Sequence, residues 1–385
     1  MPTRRSSNGL RALVMSYAEG ARDPRVSNQI RWLEQGGYRV DVLSRGNAHP
    51  DASGRHFRIG FPPLPVRLAV YLLFPNRARF RFMVGRRIPH DVLSPQNVPY
   101  DVVVVNTIDL LPWVVEHGTE LSRGPLCLDL HEYSPSQGIG WVFRLLFRRY
   151  QDWLISFIVS PVFTCRMTVA EGIAELYRDN FDIPEPGVVR NVPAFVDQAP
   201  SPVDPERIAL VHHGRADLSR GLDLMLDAML EVEERFVLTL MVVGSDEELA
   251  ALRAAPAARA GRVVFRQAAP MAEVAAHLND QDAEIIFFPP ATENLRLVLP
   301  NKLFEAIQGR LALIIGESQE MVRLVEHYGN GVVVPGWTAG DLARAINALD
   351  ADQISRMKAA SDLAASEISA GTERQRFYSV LGLAA

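Results

Sequence analysis

The sequence predicts an α/β protein made of two doubly wound halves, and three observations carry that reading. Short β-branched apolar runs alternate with amphipathic helical stretches along the whole 385 residues. The alternation halts at Ala199-Pro200-Ser201-Pro202-Val203-Asp204-Pro205, whose prolines and small or polar residues suit a linker, and restarts at Ile208. A chain of this length is long enough for two cores and crowded for one. The expected division is a first domain at 1–198, a linker at 199–206, a second domain at 207–368 and a terminal helical segment at 369–385.

Composition narrows the class without naming a function. Hydrophobic residues at 48%, charged residues at 22% and a net charge of -5 describe an ordinary globular protein with no general reason to bind nucleic acid. Cys127 and Cys165 lack a CxxC or Cys/His spacing, which argues against a zinc site or disulfide framework and for reduced core thiols. The apolar run Leu10 to Met15 is broken by Arg11 and is too short for a signal peptide, so a cytoplasmic location is expected. No run reaches the roughly 18 apolar residues of a membrane-spanning helix.

In the first half, Arg11 to Ser16 reads as a strand, Val26 to Gln35 as a helix stopped by Gly36-Gly37, and Tyr38 to Leu43 as a second strand. The loop Tyr17 to Arg25 holds no GxGxxG, which counts against a nicotinamide or flavin cofactor. Its Asp23 has the chemistry of a helix cap. Between Pro62 and Asp91, arginines 67, 77, 79, 81, 86 and 87 interleave with large apolar groups. That pattern fits a cationic face on an anionic membrane surface, and equally a packing helix with solvated arginines. Asp101 to Asn106 is the clearest strand, delivering Asp109 to its carboxyl end, and Leu126 to Leu130 delivers His131 and Glu132 to the same rim. An imidazole there can donate and accept protons near neutral pH. Residues 139–165, rich in Trp, Phe and Arg, read as an amphipathic packing helix or an acceptor-facing one.

The second half opens with Ala209 to Arg215, running from strand into loop, and a helix starting near Ser219-Arg220-Gly221-Leu222. Strands follow at Phe236–Val243 and Val263–Arg266. Most informative is the stretch between the apolar runs Glu284–Phe288 and Leu311–Ile315. Pro300 suits the first turn of a single helix there, Leu303, Phe304 and Ile307 form its apolar face, and Gly309 ends it. Such a βαβ unit aims free N–H groups and a positive dipole end at the crevice where parallel sheets bind ligands. Asn301 and Lys302 lie at that end. Glu305, a turn further in, has the reach to accept hydrogen bonds from two neighbouring hydroxyls; by composition alone, it and Lys302 read equally as surface residues of an ordinary helix.

Glu305-Ala306 with Gly309, Gly214-Arg215 and Arg220-Gly221 together resemble the corresponding segments of GT-B glycosyltransferases, in particular glycosyltransferase family 4. The resemblance implies two facing Rossmann-like domains with an interdomain cleft and a C-terminal helix crossing back to the first domain. It implies that Arg215 and Arg220 stabilise a departing nucleoside diphosphate, that Glu305 binds the nucleotide ribose, and that Phe265 and Arg266 lie near the base. His131 becomes a cleft residue at the sugar, with Asp23, Arg25, Asp109 and Glu132 as acceptor-side candidates. Leu297 stands where the family usually carries a second Glu at the donor sugar; Glu293 and Asn294, on the same loop, are the candidates to replace it. The implied reaction is a retaining, metal-independent transfer from a UDP- or GDP-sugar, with no cofactor, to a hydroxyl of a glycan, lipid-linked glycan or small molecule. A location at the inner face of the cytoplasmic membrane would suit a lipid-linked acceptor. Two other functions share the architecture: a non-catalytic binding subunit of a glycan-assembly complex, which Leu297 favours, and a sugar-nucleotide 2-epimerase.

Overall fold

A computed structural model describes residues 9–137, 147–217 and 220–384. The chain divides into two compact units: unit 1 takes residues up to Asn191 together with those from Arg374 on, and unit 2 takes Val192–Glu373.

Unit 1 is built on seven strands: β1 (Arg11–Glu19), β2 (Arg39–Arg45), β3 (His56–Arg58), β4 (Val102–Val105), β5 (Leu126–Asp129), β6 (Cys165–Thr168) and β7 (Gly187–Val188). They pair in the order β3-β2-β1-β4-β5-β6-β7, all in parallel. Val102 to Val105 are all fully buried, as a central strand covered on both faces requires. Cys127 and Cys165 are register partners on β5 and β6 and are free thiols.

Unit 2 repeats the plan with β8 (Ile208–Arg215), β9 (Phe236–Val243), β10 (Val263–Phe265), β11 (Ala283–Ile286), β12 (Ala312–Ile315) and β13 (Gly331–Val333). Their order is β10-β9-β8-β11-β12-β13, again parallel throughout. Each sheet therefore reverses its strand order beside its first strand, between β1 and β4 and between β8 and β11. Crevices for ligands open at such switch points, beyond the carboxyl ends of the strands.

Several sequence expectations are refined. The segment from Val192 through the proline-rich run is held on unit 2: Val192 joins its core, Val196 N donates to Gln308 Oε1 at 3.0 Å, and Ser201 Oγ, within the run, donates to the Asn279 carbonyl at 2.6 Å. Composition marks where a chain can leave regular structure, but long-range hydrogen bonds decide whether it stays free. Two short helices, Glu293–Arg296 and Asn301–Gln308, stand where one was expected, and Pro300 caps the second instead of lying in its first turn. Arg215 ends β8 where a loop was expected. The region 62–91 forms helices Leu64–Leu73 and Asn76–Met83. Of the expected helix at 139–165, residues 138–146 lie outside the described residues, and Arg148–Ile155 is helical. The last helix, Ala370–Leu381, contributes to unit 1, where the Phe377 ring lies 5.3 Å from Trp32 and Tyr378 Oη donates to the Trp32 carbonyl.

Candidate active site

The chemistry of unit 2 begins with an anomaly in β11. Glu284 sits in the middle of an otherwise apolar central strand and is fully buried. A carboxylate without water needs a paired charge or several hydrogen bonds. The neighbouring strand supplies them. His213 on β8 donates its backbone N–H to Glu284 Oε1 at 3.2 Å, and its Nδ1 lies 3.0 Å from Glu284 Oε2. The other ring nitrogen, Nε2, lies 2.8 Å from Glu305 Oε2 on helix Asn301–Gln308. With a carboxylate at each nitrogen, the ring is an imidazolium donating twice. Burial alone would lower the His213 pKa, but the two carboxylates outweigh it and raise it to about 9.

His212, one residue earlier, is set the other way. Its Nδ1 donates to the Ile285 carbonyl at 2.7 Å, which leaves Nε2 to accept from Lys302 Nζ at 3.0 Å. Burial holds its pKa well below the ordinary value, with the Lys302 charge adding to the effect, so this ring stays neutral. Burial also lowers the Lys302 ammonium to about 8; Glu284 and Glu305 oppose that shift and Arg220 adds to it. Lys302 and Arg220 converge on the Phe288 ring, 5.1 and 5.9 Å from its centroid. Gly214 makes room for the ammonium. A Cβ there would lie 3.3 Å from Nζ, on a backbone at φ +118° that other residues rarely adopt. Gly221, at φ +77°, lets the chain pass the Phe287 carbonyl, which a Cβ would meet at 2.2 Å.

Other residues proposed from the sequence are placed less centrally. Arg215 is exposed at the end of β8, and Arg220 also faces Asp217 at 3.5 Å. Asn294 and Asn301 are half-buried on the two short helices. Glu293 pairs with Arg296 at 2.6 Å on the exposed turn, and Arg266, following edge strand β10, pairs with Asp280 at 2.6 Å. Leu297 is buried, so its position offers no polar group to a ligand.

In unit 1 the corresponding position holds a recess of about 90 Å³, lined by residues that follow β4 and β5, among them Asn106, Asp109, His131 and Glu132. His131 Nδ1 and Asn106 Oδ1 are buried without a hydrogen-bond partner among the described residues. Burial pushes the Asp109 carboxyl up to about 6. Glu132 accepts from Gln137 Nε2 at 2.6 Å. Two acceptor-side candidates are engaged within unit 1 instead. Asp23 caps helix Pro24–Gln35, accepting from Arg25 N at 2.9 Å and Val26 N at 3.4 Å. Arg25 is buried, with Nη2 on Asp129 Oδ1 at 2.9 Å and Nη1 on the Val189 carbonyl at 2.6 Å. Its donors tie Asp129 of β5 and Val189, just after β7, to the helix and are not open to an acceptor.

Sequence reasoning missed Glu284, His213, His212 and Asn106. One signal was present: a carboxylate inside a continuous apolar strand announces a buried partner.

Comparison with known proteins now places the chain. Residues 21–193 match the glycosyl transferase 4-like domain and residues 207–352 match glycosyl transferases group 1. The chain is a GT-B glycosyltransferase. Solved structures share its fold over nearly its full length. WaaG, a glycosyltransferase involved in lipopolysaccharide biosynthesis, superposes with a TM-score of 0.66 at 12% identity, covering 96% of this chain and 99% of that one. A trehalose-6-phosphate protein from E. coli bound with UDP-2-fluoro glucose gives 0.64 at 11%, covering 97% and 99%. Sucrose-phosphate synthase from Thermosynechococcus elongatus gives 0.61 at 14%, covering 97% and 95%. No curated protein matches the glycosyltransferase in sequence. Among the described residues no group of His, Cys, Asp and Glu is arranged to hold a metal ion, and no helix is long and apolar enough to cross a membrane.

Proposed function

We propose that unit 2 of this glycosyltransferase binds a UDP- or GDP-sugar and that the enzyme moves the sugar, with retention and without a metal ion, to a hydroxyl of a glycan, lipid-linked glycan or small-molecule acceptor. The observation that carries the donor site is the convergence of Lys302 and Arg220 on Phe288 at the N-terminus of helix Asn301–Gln308. A leaving diphosphate gains negative charge in the transition state, and fixed cations beside a helix N-terminus stabilise it most at that moment. Glu305 lies one turn further along the same helix, at the reach of a ribose. Arg215, exposed beside this group, serves the same diphosphate. Glu293, Asn294 and Asn301 border the site, and Arg266 is the base-side candidate. In unit 1, His131 contacts the transferred sugar, and Asp109 and Glu132 receive the acceptor hydroxyl.

The acceptor side also suggests a surface. Between Asp51 and Asp91 the sequence carries eight arginines and no carboxylate. Leu72, Leu73, Phe74 and Phe82 are exposed there. A cationic, apolar face of this kind supports peripheral contact with anionic lipid at the inner face of the cytoplasmic membrane.

Thermal stabilisation by UDP, GDP, CMP and ADP, with and without magnesium, tests the donor reading. The expected result is a shift with UDP or GDP that needs no magnesium and is lost in Arg220→Ala. No shift with either nucleotide would sink it.

A further inference from the structure

The donor reading leaves two buried groups without a role, His213 and Glu284, together with the oxygen of Glu305 that His213 holds. Glu305 carries 19% of its side-chain surface exposed, whereas Glu284 has none and His213 7%. Only Oε2 of Glu305 is engaged, by His213; Oε1 has no hydrogen-bond partner among the described residues. A glutamate on a helix has three rotatable bonds and ordinarily samples several rotamers. Here one oxygen is pinned, and the pin is itself pinned from behind by a carboxylate with no access to solvent.

We propose that His213 is a positioning residue for the donor nucleoside: anchored by Glu284, its imidazolium holds one oxygen of Glu305 and thereby presents the other to the vicinal hydroxyls of a ribose. This rests on the donor-site reading above and deepens it. The groups facing His213 are Glu284 from β11 and Glu305 from helix Asn301–Gln308, with the neutral His212 beside it on β8; Lys302 of the same helix donates to His212, and Arg220 acts through Lys302. On its other side β9 presents Met241. Three consequences follow from the geometry. Nucleoside recognition needs a doubly protonated His213, because a neutral ring would donate to only one of its two carboxylates. Diphosphate recognition, carried by Lys302 and Arg220, does not need it. Glu284 acts on the nucleoside solely through His213.

The test separates these parts by titrating UDP, GDP and inorganic pyrophosphate into the enzyme by calorimetry from pH 6.5 to 10. The ratio of nucleoside-diphosphate to pyrophosphate affinity cancels the titration of Lys302. That ratio is expected to fall about tenfold as the pH rises through 9, the worth of one charge-assisted hydrogen bond. In His213→Gln it should be low from the start and lose that fall, keeping only the titration of the base itself. Glu284→Gln, which leaves Glu305 and every phosphate contact in place, should move the midpoint down by about one unit. A merely structural role would not shift a midpoint. UDP or GDP binding with a ratio that ignores pH, or with a midpoint that Glu284→Gln leaves in place, would overturn this inference alone. Binding of neither nucleotide at any pH would overturn the donor reading with it.

Discussion

Asp109 and Glu284 are carboxylates at matching places in two sheets of one topology: the first just beyond β4, the second on β11, each the fourth strand of its own unit. Their chemistry differs. Glu284 is the more deeply buried, and His213 faces it at 3.0 Å. Asp109 is half-buried, forms no ion pair among the described residues, and is pushed up to about 6. Burial raises a carboxyl's pKa, and a facing cation opposes that rise. In unit 2 the buried carboxylate faces an imidazolium, whereas the unit 1 recess leaves a carboxyl raised to about 6 and two polar atoms unpartnered among the described residues.

Breaking the paired carboxylate should have the largest effect. Glu284→Ala leaves the imidazolium with one partner and a polar cavity, and should destabilise unit 2 by roughly 3–5 kcal/mol, read from the urea midpoint. If its cost is below about 1 kcal/mol, the pair is not what holds β8 to β11. Next comes Lys302→Ala, which removes a cation from the leaving group. Turnover should fall by about 10²-fold, with folding unaffected by calorimetry. A smaller effect sharpens the same contrast through pH. The folded His213 pKa of about 9 lies above the ordinary 6.5, so its stabilisation is complete below pH 6.5 and is lost as the pH rises through 9. Lys302, whose folded pKa of about 8 lies below the ordinary 10.5, opposes that loss from pH 8 upward, so the decline should be clearest between pH 6.5 and 8. The unpaired carboxylate should respond in the opposite sense. With its folded pKa raised, Asp109 costs stability above pH 4, in full above pH 6, so Asp109→Asn should stabilise by about 1 kcal/mol at pH 7.5 and by nothing at pH 4. Equal gains at both pH values would mean that packing and not charge governs that position.

Much of the architecture was legible because it is written in local patterns. Val102 to Val105 read as a central strand, and Gly214, Arg220 and Glu305 stood out through their resemblance to the family's segments. The arginines between Arg67 and Arg87 were visible as a charge run. The cap at Asp23 was readable too, since a cap acts within three residues of itself.

What the sequence by itself determined is the alternation of strands and helices, and with it two α/β halves; the strand order that puts the switch points beside β1 and β8 came from tertiary pairing. Tertiary structure alone decided who meets whom. Glu284 and His213 are 71 residues apart, His213 and Glu305 are 92, and Arg25 and Asp129 are 104. The physical reason is that the energy of a charge depends on its dielectric surroundings and its nearest partner, and neither exists until distant strands pack together. Arg25 looked open to an acceptor and is consumed; Glu284 passed as part of an apolar strand and is paired with His213.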